Sequence, residues 1–135
     1  MSEFIGQKFG KWEGEERPLF LAPMSGVTDL PFRLLAKECG ADVTITEFTN
    51  STALSRAATA SWRKMESHET EVPFIPQIFG GDVKDMVTAA EMLAPNSDVI
   101  DLNFGCPAPK VTKICAGAAL MGEPDNLVSM VSDIV

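Results

Sequence analysis

From Pro18 onward, short apolar runs alternate with longer stretches in which apolar residues recur at helical spacing. LFLAPM reads as a buried strand, and TDLPFRLLAKECG as a helix capped by Thr28 or Asp29, with Pro31 in its first turn and Gly40 after its end. ADVTITEF, rich in β-branched residues, predicts a second strand, and the alanine-rich NSTALSRAATASWRKM a second helical stretch. A polar link, ESHETEV, leads to a third strand, PFIPQIFG, within which Pro76 is unfavourable. DVKDMVTAAEMLAP is an amphipathic helix stopped by Pro95, and SDVIDLNFG is a fourth strand. After a loop rich in Gly and Pro, a fourth helix opens near Pro124 and Asp125. Residues 1–17 have weak periodicity and read as an irregular lead-in or a short hairpin.

Strands that are nearly continuous apolar runs, each followed by a helix, predict a parallel sheet with helices packed against it. A doubly wound sheet and a barrel both satisfy that pattern. APMSG, EFTNS, QIFGG and NFGCP each follow the carboxyl end of a strand. A barrel gathers four such ends on one rim, whereas a doubly wound sheet concentrates its site at one switch point. The expected fold is therefore α/β: the first half of a (β/α)8 TIM barrel, with about four parallel βα units over residues 18–135. A complete barrel runs to about 250 residues, so a chain of 135 supplies half of one.

Composition narrows the class further. A hydrophobic content of 45% is enough for a packed core. No apolar run approaches the roughly 20 residues that cross a bilayer, and Met1 to Trp12 carries Glu3, Lys8 and Lys11 without a long apolar segment, so a cytoplasmic location is expected. Three cysteines, Cys39, Cys106 and Cys115, are too few and odd in number for a disulfide framework. Their spacing is not that of a zinc site, no His cluster joins them, and no metal is expected. The net charge of -8 disfavours a nucleic-acid backbone as the main partner of this segment.

The candidate chemistry lies in DLNFGCPAPK, where an apolar run ends in a Gly-Cys-Pro corner that places Cys106 in a turn. A thiol with an ordinary pKa of about 8.5 is mostly protonated at neutral pH yet can release its proton, which suits an acid. A nucleophilic cysteine would want a base beside it, and the single histidine, His68, lies far away in the polar link. The plainer alternative is a half-buried cysteine acting as a small apolar residue, the reading kept for Cys39 and Cys115. Asn103, three residues before Cys106, either offers the donor and acceptor of its amide to a ligand or caps the turn. Gln77 sits in an apolar strand and must find partners, in a ligand or in loop backbone. Glu47 ends the second strand and faces the site or forms a rim salt bridge. Lys110 and Lys113 reach phosphates or are simply solvated.

IDLNFGCPAPKVTKICAGA resembles the signature of the tRNA-dihydrouridine synthases: aliphatic, Asp, aliphatic, Asn, any residue, Gly-Cys-Pro, an aliphatic residue four later, then Gly plus a small residue. LAPMSGVTDLPFR resembles the first strand of that family with its following helix, and PQIFGG the segment holding its flavin-contacting glutamine. The match runs from Pro18 to Val135, the first half of the family's catalytic barrel. Ile114 and Cys115 depart from it, standing where small residues, often glycine, are expected.

The resemblance implies FMN-dependent, NADPH-driven reduction of the C5=C6 bond of a uridine in tRNA to dihydrouridine. The uridine must be flipped out, since a stacked base hides C5 and C6. It implies that Cys106 protonates C5, that Asn103 orients the base, that Gln77 bonds the flavin ring, and that the backbone of Pro23, Met24 and Ser25 forms a platform beneath that ring. The lysine and histidine of later strands, the flavin-phosphate loops and the C-terminal helical tRNA-binding domain have no counterpart in these residues. Much of the family's basic surface lies in that domain, which reconciles the acidic charge with a tRNA substrate. The chain is accordingly expected to be an incomplete fragment that binds FMN weakly alone and either self-associates or needs the missing half. Two alternatives share these features: a related FMN barrel oxidoreductase acting on a small molecule, and a non-catalytic half-barrel assembly fragment.

Overall fold

A computed structural model describes residues 18–135, and the lead-in read over residues 1–17 lies outside the described residues. In chain order the elements are β1 (Phe20–Leu21), α1 (Leu30–Glu38), β2 (Val43–Ile45), β3 (Thr49–Asn50), α2 (Ser51–Ser55), α3 (Thr59–Arg63), β4 (Phe74–Ile75), β5 (Gln77–Phe79), α4 (Val83–Leu93), β6 (Asp101–Leu102), α5 (Pro109–Thr112) and α6 (Pro124–Ile134). Short 3-10 turns span Ala94–Asn96 and Gly117–Gly122.

All pairings among these strands are parallel, in the orders β1-β2-β4 and β3-β5-β6. Because β2 lies within the second predicted strand and β3 just past its end, at residues 49 and 50, while β4 and β5 are both pieces of the third, the ladder steps from one strand to the next in chain order. No reversal of order occurs among the described strands, which is what a doubly wound sheet would need at its switch point. The third strand divides at Pro76, which has no N–H to give the ladder. The ladder is repaired on its far side by a side chain: Thr46 Oγ1 accepts the N–H of Gln77 at 3.0 Å.

The helices follow their local signals with one exception. Asp29 caps α1, its carboxylate accepting the Phe32 N–H at 3.1 Å, and Pro31 stands in the first turn. Asp82 caps α4 in the same way through the Asp85 N–H at 2.9 Å, and that helix gives way to the 3-10 turn containing Pro95. The second helical stretch is not continuous. Ala57 has φ 56°, a left-handed conformation that ends α2, and α3 begins afresh at Thr59. With neither Gly nor Pro at the break, the alanine-rich run conceals it.

Helices α2, α4 and α6 cover one side of the sheet. Leu54, Ile78, Met86, Ala89 and Met130 are all 0% exposed there, with Leu102, Phe104 and Leu127 packed around them. Since successive residues of a strand point to opposite faces, Ile78 and Leu102 looking toward the helices turn Gln77, Phe79, Asp101 and Asn103 to the opposite side.

The polar link is exposed except at Glu71. Glu71 and Arg33 are both buried and paired, Nε to Oε1 at 2.7 Å and Nη2 to Oε2 at 3.2 Å. Thr44 donates to the same carboxylate, and Arg33 also donates to the carbonyls of Thr28 and Glu66. One ion pair thus ties α1, β2 and the link together. Among the described residues, no helix is long and apolar enough to cross a membrane.

Candidate active site

β5 and β6 pair in parallel, with Gln77 opposite Asp101 and Ile78 opposite Leu102. Asn103 continues the second strand and donates its backbone N–H to the Ile78 carbonyl at 2.9 Å. Three side chains on the face away from the helices therefore sit within reach of one another. Gln77 Nε2 donates to Asp101 Oδ2 at 2.5 Å, and Asn103 Nδ2 donates to Gln77 Oε1 at 3.1 Å. Asn103 Oδ1 in turn accepts the N–H groups of Gly105 at 3.2 Å and Cys106 at 3.0 Å.

Cys106 is half-buried and is held from both directions. Asn103 fixes its N–H, and its carbonyl accepts the Ala118 N–H at 3.0 Å. The return of the chain depends on Gly117, which has φ +58°, and a Cβ there would stand 2.6 Å from the Cys106 carbonyl oxygen. Two positions earlier Cys115 also takes a left-handed φ of 53°. This accounts for the expectation of a small residue at Cys115: the loop makes a turn glycine would adopt freely, and Cys115 adopts it without that freedom. Gly81 completes the fit from β5, since a Cβ on it would collide with the Ile114 carbonyl.

The turn after β1 is organised around Met24. Its carbonyl accepts the Val27 and Thr28 N–H groups at 3.1 and 3.0 Å, while Thr28 Oγ1 accepts the Met24 N–H at 3.0 Å. Thr28 is 0% exposed, so it anchors an otherwise open Pro23, Met24 and Ser25 turn. Glu47 joins this turn to the next strand end, accepting the Gly26 N–H at 2.6 Å and pairing with Lys64 at 3.3 Å. That is the rim role weighed for it in the sequence. Beside the turn opens a cleft of about 270 Å³, lined by Ser25, Phe48, Asn50, Lys64, Phe79 and Lys110. Phe48 and Phe79 meet edge to face, their centroids 5.1 Å apart.

The structure brings together Gln77, Asn103 and Cys106 in one hydrogen-bonded series and leaves Pro23, Met24 and Ser25 after β1, which pairs with β2 and not with β5 or β6, with no hydrogen bond to that series among those described. Asn103 does cap its turn, the plainer of its two roles, but its amide also reaches Gln77. Cys39 and Cys115 are exposed, so the reading of each as a small apolar filler fails. Lys113 is exposed and Lys110 lines the cleft. Sequence reasoning gave Asp101 no role. The available signal was its place two residues before Asn103, on the same face of a strand, as the one charge within VIDLN. Among the described residues, no group of three or more His, Cys, Asp or Glu is placed to hold a metal ion.

Comparison with known proteins bears on this arrangement. The family model described as "Dihydrouridine synthase (Dus)" matches residues 20–135. The chain is 40% identical over 116 residues to the "Probable tRNA-dihydrouridine synthase" of Rhizobium leguminosarum bv. phaseoli, covering 85% of this chain and 36% of that protein. It is 36% identical over 129 residues to the "tRNA-dihydrouridine synthase B" of Escherichia coli (strain K12), covering 95% and 40%. It is also 38% identical over 122 residues to the "tRNA-dihydrouridine(47) synthase [NAD(P)(+)]" of Cryptococcus neoformans var. neoformans, covering 86% and 16%. The chain thus spans between 16% and 40% of the length of these relatives.

Proposed function

The chain belongs to the dihydrouridine synthase family, and from that premise we propose that it forms the first half of a (β/α)8 barrel that reduces the C5=C6 bond of uridine in tRNA. The in-order parallel ladder supports the barrel, and the single observation that carries the chemistry is the series Gln77, Asn103 and Cys106 at adjacent strand ends. NADPH is the reductant in this reading, in keeping with the NAD(P) in the name of the Cryptococcus relative. The exposed Leu19, beside β1, belongs to the surface that self-association or a second barrel half would cover.

FMN is the cofactor the family resemblance implies, and the donor set present fits one wall of its site. Gln77 spends one hydrogen of its Nε2 on Asp101 and one lone pair of its Oε1 on Asn103, which leaves one of each for a heterocycle edge. The open backbone of Pro23, Met24 and Ser25 would lie against the ring. When bound, FMN supplies the hydride that adds to C6 of uracil. The protein's task is then to protonate C5, where negative charge develops. Cys106 holds that proton on Sγ, and the bonds from Asn103 and Ala118 to its backbone keep the thiol-bearing turn in place. Asn103 has one amide hydrogen beyond that used by Gln77 with which to orient the base.

The test joins this half to the carboxyl-terminal half of a family member and replaces Cys106 with Ala. Flavin reduction by NADPH should proceed at a near-normal rate, because it does not use the thiol proton. Dihydrouridine formation in tRNA should fall on the order of 10² to 10⁴. A Cys106→Ala protein whose reduced flavin is oxidised by tRNA as fast as the parent's removes Cys106 from the mechanism. Turnover with free uracil or another small molecule but not with tRNA would favour the small-molecule alternative.

A further inference from the structure

The series that ends at Cys106 has a polarity, and both of its ends are invariant in kind. Backbone N–H groups only donate, and a carboxylate only accepts. Because Asn103 Oδ1 receives two backbone N–H groups, its Nδ2 must face Gln77. Gln77 must then present Oε1 to Asn103 and Nε2 to whatever lies beyond, which is Asp101. Two side-chain amides in contact have alternative orientations of similar energy. An acceptor-only group at the far end leaves one of them satisfied and sets an acceptor against an acceptor in the other. Gln77 is only 6% exposed, so water offers it little relief from a mismatch.

We infer that Asp101 is a positioning residue whose carboxylate, through the amides of Gln77 and Asn103, holds the turn that presents Cys106. It also sets which hydrogen-bonding atoms Gln77 has left to offer a ligand. That this matters for reduction of uridine rests on the reading of Cys106 as the acid; the relay itself does not.

The experiment uses the full chain without flavin or tRNA and reads two quantities. One is amide hydrogen exchange at Gly105 and Cys106, and the other is alkylation by iodoacetamide, mapped to the Cys106 peptide because Cys39 and Cys115 are exposed and react too. Asp101→Asn keeps an oxygen that can accept from Gln77, so both rates should stay within about twofold of the parent. Asp101→Leu has similar bulk but no acceptor. Exchange at Gly105 and Cys106 should quicken on the order of tenfold, alkylation of Cys106 should rise with it, and amides of α4 should be unaffected. Parent-like rates at both positions in Asp101→Leu would overturn the relay. Should that variant fail to fold, a polarity swap decides instead. Gln77→Glu sets two acceptors against each other and should loosen the turn, and adding Asp101→Asn supplies the missing donor and should restore it. Equal exchange in the single and double variants would also overturn the relay. Since neither readout involves uridine, an enzyme that works without Cys106 discards the acid and leaves the relay intact, whereas unchanged exchange discards the relay and leaves the acid.

Discussion

The two sides of this sheet are held by different physics. On the helix side, Leu54, Ile78, Met86, Ala89 and Met130 are sealed from solvent within one apolar cluster. Dispersion and the hydrophobic effect have no direction, so another side chain of similar volume serves nearly as well. At the strand ends, Asp101, Gln77, Asn103 and the Cys106 turn are joined by single contacts in which a donor faces an acceptor. Volume is not enough there; the chemical type of each atom is specified. The helix side therefore tolerates substitution in kind, and the strand-end side does not.

The strongest challenge to that contrast is the directional pair placed within the packed part of the molecule. Replacing Glu71 with Ala strands Arg33 in a site where it is 1% exposed and should cost about 3–5 kcal/mol, measured by urea denaturation. A loss below about 1 kcal/mol would mean that water reaches Arg33 and that the pair is not a buried one. Next in size is Leu54→Ala, which opens a cavity at a fully buried position and should cost about 2–5 kcal/mol, whereas Leu54→Met should cost under about 1.5 kcal/mol. Similar losses for the two would show that packing on the helix side is as particular as the polar contacts opposite.

A smaller effect is expected from Gly117→Ala, which combines a left-handed φ with a Cβ pressed on the Cys106 carbonyl. About 1–3 kcal/mol should be lost, and exchange of the Ala118 amide should quicken before that of the helices does. The smallest concerns Asp85 in the first turn of α4. A hydrogen bond from Thr52 chiefly, with Ser55 and the charges of Arg56 and Lys84 adding to it, holds its carboxyl below the ordinary value against the opposing effect of burial. A depressed pKa means stability present above the ordinary value of about 3.9 and lost as pH falls through the folded one. Asp85→Asn should thus be slightly less stable than the parent at neutral pH, with the difference closing below about pH 4. A difference that widens in acid would reverse the sign of this contribution.

Alternation of apolar runs and helical spacing was sufficient to read the order of the strands and of the longer helices, Asp29 as one of two candidate caps, and the placing of Gln77, Asn103 and Cys106 in or just after strands, because these depend on periodicity and on neighbours a few residues away. The break at Ala57 was not legible, since the residue carries no breaker chemistry and only the folded chain shows its left-handed φ. Pro76 was legible as a fault in a strand but not as a division repaired by Thr46, whose hydroxyl arrives from another strand. Arg33 and Glu71 are 38 residues apart, and nothing local distinguishes that glutamate from its solvated neighbours. Asp101 illustrates the limit most directly: its strand was readable, but its role exists only because parallel register sets it opposite Gln77. Local sequence determined which residues stand at the ends of strands. Tertiary structure decided which of them touch, because hydrogen bonds and ion pairs act over a few ångströms of space and take no account of separation along the chain.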